Sequence, residues 1–482
     1  MTDFRSGRRK QTRRYQPEQQ HSERNTWRND WRIQVWTVLL LGHVLLSTTA
    51  VGGAVLSGHS STSPPAVTRV SYQLELEGTL IVSDGGSTAR YPLQGTSDFR
   101  FLQHATTGVS GASEQMRAAR QFALARTETL VGRDHRIQTG LPNQTSLIHV
   151  YEDHQQLLQL SPGVRLTRPQ VDLLQFPCDP LPVAALLQGQ SSLQAGQRWK
   201  VPERLLPLLT GLDFCSEHSG ECVVRKIVAG VAEIEFQISC DGGITGSASE
   251  VKVQGTLQYV PDSRFVSALQ AELREKRSSG VISPGLDVTA RIRWSAVEQP
   301  EAGSPALPVA AIPAVGRQLL TLQTPWDLAL LVSRDWHVYR EESELMILRR
   351  LESGALAGQL NLKRVPSVDA GQEPDDQEFL DDVSEQVASR GGVVSASRRM
   401  KTAAGWSIQR VEAEISVKST LADATVSGTG SDPGPVDRVL LSYCLCTAPS
   451  GQQYSLVFSH LSRDGAPFES LIDSILQTLV LR

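Results

Sequence analysis

The sequence predicts an α+β protein: one N-terminal transmembrane helix, then a curved antiparallel β-sheet domain with short helices, then an antiparallel α/β sandwich. Three observations predict it. An arginine-rich tail runs into a single apolar segment near residue 34. Apolar and polar residues alternate in strand-like stretches between residues 67 and 298. Beyond a proline-rich stretch, further strand-like segments are interleaved with one acidic helix and closed by one apolar helix.

The tail comes first. Residues 1–33 carry nine cations, among them Arg8, Arg9, Lys10, Arg13 and Arg14, against four carboxylates, which gives about +5. The whole chain of 482 residues is −4, so the remainder is about −9. The apolar run from Val35 through Leu46 fades out near Leu56 and just reaches the roughly 20 residues a helix needs to cross a bilayer. Cations on its N-terminal side hold that end in the cytoplasm and send the rest of the chain out. Two fates of residues 34–56 stay open: a retained signal-anchor, or a signal peptide cut among the small residues Ser47–Ala54. The expected location is the cell membrane, single-pass, with the N-terminus in the cytoplasm and the bulk of the chain extracytoplasmic, in a periplasm. The tail lacks the aromatic interleaving of a nucleic-acid binder, so no nucleic-acid partner is expected. A spacer rich in Ser, Gly and Pro occupies 57–66.

Residues 67–298 form the first exported domain. Val70, Tyr72, Leu74 and Leu76 alternate with Ser71, Gln73, Glu75 and Glu77, the two-residue period of a half-buried strand. The same period recurs at Ala232–Ile238, Val251–Tyr259 and Leu286–Trp294. Leu181–Leu187 and Glu203–Leu209 have the look of short helices. One strongly curved sheet with helices over its inner face satisfies this pattern. Such a half-barrel resembles the periplasmic lipoprotein-carrier folds of the LolA and LolB type, a resemblance of architecture that implies a hydrophobic cavity. Four of six cysteines fall here. In an exported domain they are disulfide candidates, and the suggested pairs are Cys215 with Cys222 and Cys178 with Cys240, out of three pairings. Cys444 and Cys446, two apart on a strand, are expected as buried free thiols.

Residues 299–315 contain four prolines among Ala, Gly and Ser and read as an extended linker. In 316–482 an acidic helix is expected over Asp375–Arg390, with carboxylates crowding its first turn and Gly391-Gly392 ending it. A closing helix begins at Pro467 and carries Phe468, Leu471, Ile472, Ile475, Leu476 and Leu479 at helical spacing. Together with Leu331–Val338, Gly405–Ile408 and Gly451–Phe458, this order resembles the Mog1/PsbP-like α/β sandwich. The resemblance implies a binding or assembly accessory and brings no functional residue with it.

Motifs for chemistry are few. The sequence has no Gly-Lys pair, hence no phosphate loop, and neither Gly-x-Ser-x-Gly nor His-Glu-x-x-His occurs. No cofactor and no metal ligand set is expected. The densest polar cluster is His149-Val150-Tyr151-Glu152-Asp153-His154, where His149, Tyr151 and Asp153 share one strand face. His149, Asp153 and His154 are therefore the weak polar-site candidates. The chain reads as a membrane-tethered extracytoplasmic binding or assembly protein without catalytic activity. Its partners are then the membrane, through the N-terminal helix, and an envelope protein. A carrier or sensor of a lipid or other apolar ligand in the first exported domain is the second reading, and a hydrolase of unrecognised type the third.

Overall fold

The structure, a computed structural model, describes residues 67–482 apart from 85–86, 111–112, 154, 191, 300–313, 315, 317, 419–435 and 462–465. The expected tail, span and spacer (1–66), His154 and nearly all of the expected linker lie outside the described residues. Among the described residues no helix is long and apolar enough to cross a membrane.

The first unit opens with strands β1 (Val67–Asp84), β2 (Ser87–Ser110) and β3 (Ser113–Val131). The strands β4 (His135–Gly140), β5 (Leu147–Asp153) and β6 (Gln156–Leu160) follow. Helices α1 (Arg168–Leu174) and α2 (Pro180–Ala185), strand β7 (Arg198–Lys200) and helix α3 (Leu206–Thr210) come next. Strands β8 (Phe214–Val228), β9 (Val231–Ile244), β10 (Ser247–Val260), β11 (Phe265–Arg277) and β12 (Gly285–Gln299) complete it. These twelve strands form one antiparallel sheet in the order β6-β5-β3-β2-β1-β12-β11-β10-β9-β8-β7, with β4 beside β3. Alternation decides which face is buried. On β1, Val70, Tyr72 and Leu74 are buried while Ser71, Gln73 and Glu75 are exposed. The helices sit on that apolar face, and the Tyr72 hydroxyl donates to the Pro177 carbonyl at 2.9 Å. Helix α3 touches β6 near one end of the strand order and β8, β9 and β10 near the other, so the sheet bends around it.

The second unit begins with β13 (Leu320–Gln323), β14 (Leu328–Val332), β15 (Trp336–Glu341), β16 (Leu345–Glu352) and β17 (Ala355–Val365). Helix α4 (Asp376–Ala388), strands β18 (Val393–Lys401), β19 (Ser407–Lys418), β20 (Val436–Thr447) and β21 (Gln453–Leu461), helix α5 (Ala466–Leu476) and β22 (Val480–Leu481) follow. A seven-stranded antiparallel sheet runs β15-β16-β17-β21-β20-β19-β18, beside a small sheet β13-β14-β22. Helix α4 forms where expected: the Asp375 carboxylate caps it by accepting from the Gln377 amide at 2.9 Å, and Gly391 at φ +70° ends it. Its Val383 and Val387 pack on Val411 and Leu441. The buried face of α5 carries Phe468, Ile472, Ile475 and Leu476.

The expected α+β class is corrected by this architecture. Strand makes up 61% and helix 13%, so the chain is a mostly antiparallel β protein. The helices of the first unit are five to seven residues long, whereas β1 and β2 run for 18 and 24. Local apolar spacing signalled helices of the same weight as strands, but the long ladders carry the backbone pairing.

The two units share one hydrophobic core that runs from Tyr72 and Phe101 through Leu320 and Trp326 to Phe458. Polar contacts fix the junction. The Thr321 amide donates to the Leu166 carbonyl at 2.9 Å, and the Arg334 guanidinium donates to the Gln159 carbonyl at 2.6 Å. Two tight turns, Thr245-Gly246 and Ser353-Gly354, meet there, all four residues at positive φ. A Cβ on Gly246 would stand 2.4 Å from the Gly354 carbonyl oxygen, while one on Gly230, in an equivalent turn at the same φ of +78° against +75°, meets nothing within 4 Å. Gly230→Ala should therefore cost about 1 kcal/mol from backbone conformation alone. Gly246→Ala should cost about 2 kcal/mol more, because backbone must move to make room. Urea unfolding of both variants measures the difference, and equal costs would show that the two turns do not meet.

Candidate functional site

The candidate site lies between the apolar face of the first sheet and the loop that leaves α1. That loop exists because α1 stops early. Thr167 and Gln170 form a reciprocal capping box at its start, a proline follows at the first turn, and after Leu174 the chain turns extended at Gln175. Phe176 then stacks on Phe99 (centroids 4.8 Å apart) and packs on Tyr72 (4.6 Å). The loop is pinned beyond this point by the Arg120–Asp179 ion pair, whose two hydrogen bonds are 2.5 and 2.7 Å long. Asp179 also caps α2 through the Leu181 amide.

Beneath the loop is a narrow recess of about 50 Å³. Its apolar wall comes from Leu74 and Leu76 on β1, Phe99 on β2, and Leu286, Val288 and Ala290 on β12. Gln175, Phe176 and Pro177 roof it. At one end the wall changes character. Leu273 on β11 pairs with Ala290, and the next inward positions on that strand are Glu275 opposite Val288 and Arg277 opposite Leu286. Both charged side chains are buried, and Arg277 donates to Glu275 through Nε at 2.7 Å and Nη2 at 2.5 Å. The third guanidinium nitrogen, Nη1, is buried without a hydrogen-bonding partner among the described residues. Gln175, 6% exposed, has neither its amide nitrogen nor its amide oxygen paired within the protein. Polar atoms placed so are costly, because each has given up water for nothing. Asp213 faces the same end: its carboxylate accepts from the Thr245 amide at 2.7 Å, and burial, opposed by that bond and by Arg277 and Arg168, lifts it to about 7.

On the other side of Gln175 and Phe176 lies a second recess of about 40 Å³, which those two residues also line. Gln159 contributes to it, with its amide oxygen unpartnered. The loop residue Gln175 thus stands between two spaces. Arg277, Gln175 and Glu275 were not among the residues singled out in the sequence. Their one signal was β11 itself, where Leu273, Glu275 and Arg277 fall on the same face at two-residue spacing, so that charge occupies inward positions.

The residues that were singled out sit elsewhere. His149 lies buried on β5, its Nδ1 3.2 Å from the Tyr151 hydroxyl, and burial holds its imidazole below the ordinary 6.5. Asp153 stands at the end of β5 opposite Gln156, and His154 is outside the described residues. Among the described residues no three His, Cys, Asp or Glu side chains converge as metal donors.

All six cysteines are free thiols. The expected Cys215–Cys222 bridge is corrected by the strand that carries both. They are seven residues apart on β8, which separates them by roughly 20 Å, far beyond the span of a disulfide. The Cys215 sulfur lies instead beside that of Cys240, through the diagonal register of β8 and β9. Nor are Cys178 and Cys240 joined: Cys178 points its thiol at the Leu209 carbonyl, 3.8 Å away. Cys444 and Cys446 are fully buried on β20, and burial pushes the Cys444 thiol up to about 12.

No family model and no curated protein matches this chain. Among solved structures it is similar to lipovitellin, solved for its lipid–protein interactions, at 14% identity and a TM-score of 0.30, over 51% of this chain and 27% of that one. The chain therefore spans about a quarter of that protein's length. It is also similar to the translocator domain of the autotransporter NalP from Neisseria meningitidis (9% identity, TM-score 0.12, 83% and 89% covered). A porin of Rh. blastica is matched at 8% identity and a TM-score of 0.11, over 82% and 99%.

Proposed function

We propose that this chain is a non-catalytic, extracytoplasmic binding protein that holds the apolar part of a small ligand in the recess beneath the α1–α2 loop. The observation that carries the reading is the composition of that recess. Seven apolar side chains from four strands line it, with a few polar atoms gathered at one end. Ligand sites are of this character, mostly apolar with a small number of orienting groups. The extracytoplasmic location rests on the charge pattern of the first 56 residues, a basic tail followed by an apolar run.

Purified full-length chain, titrated with the neutral environment-sensitive dye Nile red, tests the reading. The expected result is saturable binding at one site per chain, weakened at least tenfold by Ala290→Phe, which fills the recess. Binding that is unsaturable, or indifferent to that substitution, would overturn it.

A further inference from the structure

We infer that Cys215 and Cys240 are a redox pair, oxidised by a small disulfide to a cross-strand link that fastens the open edge of β8 to β9. The pair lies outside the recess and needs no ligand there.

The register of the two strands brings both side chains to one face. Cys222 stands opposite Phe236, Gly220 opposite Ile238 and His218 opposite Cys240, at the two-residue spacing of the inward face. Next along β8 comes a β-bulge, in which Ser216 has no partner on β9 and Cys215 stands opposite Gly242. Bulges re-aim side chains. Without this one, Ser216 would take the inward position and Cys215 would face away from Cys240. The glycine opposite keeps the strands close, since a Cβ on Gly242 would stand 3.2 Å from the Cys215 Cα. Both cysteines pack against the same core, and their thiols meet in an S–H···S hydrogen bond.

The two sulfurs differ in access and in readiness to ionise. Cys240 is fully buried and Cys215 half-buried. The bonds from Cys240 and from the Thr210 hydroxyl hold the Cys215 thiol below its ordinary 9.0, against the effect of burial. The bond to Cys215 and then burial push the Cys240 thiol up. The accessible sulfur that ionises first is the one that attacks. Cys215 gives up its proton and its sulfur attacks one sulfur of the small disulfide, which forms a mixed disulfide and expels a first thiolate. Cys240 then loses its proton, and its sulfur attacks that of Cys215 and expels a second thiolate. Two protein thiols are oxidised to one disulfide, and one small disulfide is reduced to two thiols that take up the two protons.

The place of the link gives it a consequence. Strand β7 pairs with β8 only from Glu221 to Val223, so by strand pairing Phe214–Ser219 rests on β9 alone among the described residues. A covalent tie at Cys215 holds this half-paired stretch where hydrogen bonds on one side otherwise hold it.

Full-length chain, purified reduced, is treated with oxidised glutathione at pH 8, then unfolded and alkylated with iodoacetamide. Mass spectrometry should find two fewer alkylated cysteines than the six of the reduced chain, and peptide mapping should join Cys215 to Cys240. In the native reduced chain, iodoacetamide should modify Cys215 at least about tenfold faster than Cys240. Cys240→Ser should stop at a stable glutathione adduct on Cys215, and Cys215→Ser should give neither adduct nor link at Cys240. Amide hydrogen exchange over Phe214–Ser219 should slow at least about threefold in the linked chain and not in the Cys240→Ser adduct. Six alkylatable thiols after oxidation, a link from Cys215 to any other cysteine, or a link between chains would overturn the pair. Exchange left unchanged by the link would overturn the fastening of the edge. The wild-type map needs no substitution, so it decides the pairing even where a variant fails to fold.

Discussion

Arg120→Met should destabilise the chain by about 3–5 kcal/mol, the largest effect of any single substitution proposed for it. Arg120 and Asp179 are 1% and 2% exposed and bonded through both guanidinium terminal nitrogens. Nε donates to Gln103 at 2.9 Å, and the guanidinium lies over the Phe101 and Phe176 rings at 5.1 and 5.6 Å. Removing the cation leaves a buried carboxylate with the Leu181 amide as its one donor among the described residues. Asp179→Asn should cost a comparable amount, since it strands the buried guanidinium while an asparagine still caps α2. The double variant Arg120→Met/Asp179→Leu should recover most of the loss, because neither partner is then stranded. Guanidinium chloride unfolding of the four proteins measures the coupling. Single costs under 1 kcal/mol, or a double variant equal to the sum, would show that the pair is not the anchor of the α1–α2 loop. The prediction reaches function as well, because Phe176 and Gln175 roof the recess only while Asp179 holds the loop in place.

The sequence made one part of this architecture legible and hid another, for reasons that can be named residue by residue. The strand β1 announced itself because Val70, Tyr72 and Leu74 repeat at the pleat period with polar residues between. Helix α4 did so because acids and a capping aspartate open it and glycines close it. Helix α1 was missed at seven residues, too short for a 3.6-residue period to show, although its Thr167–Gln170 capping box was there to be read. Strand β8, FCSEHSGECVVRKIV, gives no strand signal over its first half, because both of its faces are largely solvated there and no alternation appears. Without that signal the nearness of Cys215 and Cys222 in the sequence suggests a pairing that an extended strand forbids. The recess could not be seen at all from local pattern. Leu76, Val288, Arg277 and Gln175 come together only through the pairing of β1 with β12 and β12 with β11, and through a loop laid across them.

Stability should fall as pH rises from 5 to 8, and Asp172→Asn should remove much of that fall. Asp172 sits at the junction of the two units, 7% exposed, with Arg168 Nη1 3.5 Å from its carboxylate. Burial outweighs the attraction of Arg168 and Arg334 and lifts the carboxyl from its ordinary 3.8 to about 7. Burial also lowers Arg334, to about 9, which lies above the window. The sign follows from proton binding. Between pH 3.8 and 7 the folded chain holds a proton on Asp172 that the unfolded chain has lost. The stability this contributes is complete below 3.8 and is lost as pH rises through 7. The rise from 3.8 to about 7 corresponds to roughly 4 kcal/mol at most. Asp213, lifted to about 7 in the same way, acts in the same direction with a smaller weight because it is only partly buried. His149 opposes them: its lowered imidazole favours the folded chain at higher pH, below the ordinary 6.5. Glu235, Glu250 and Glu373, held down by Arg225, Lys252 and Lys401, act only below their ordinary 4.5 and so outside the window. Below pH 3.8 Asp172 is neutral in both states and the asparagine variant should match wild type; by pH 5 it should already lead by about 1.6 kcal/mol. At pH 8 the variant should be the more stable by roughly 2–4 kcal/mol. Urea midpoints at half-unit steps of pH for both proteins decide the matter. Parallel curves would mean that Asp172 is ionised across the window, and that Arg168 and Arg334 hold the two units together as a charged triad instead of around a buried neutral acid.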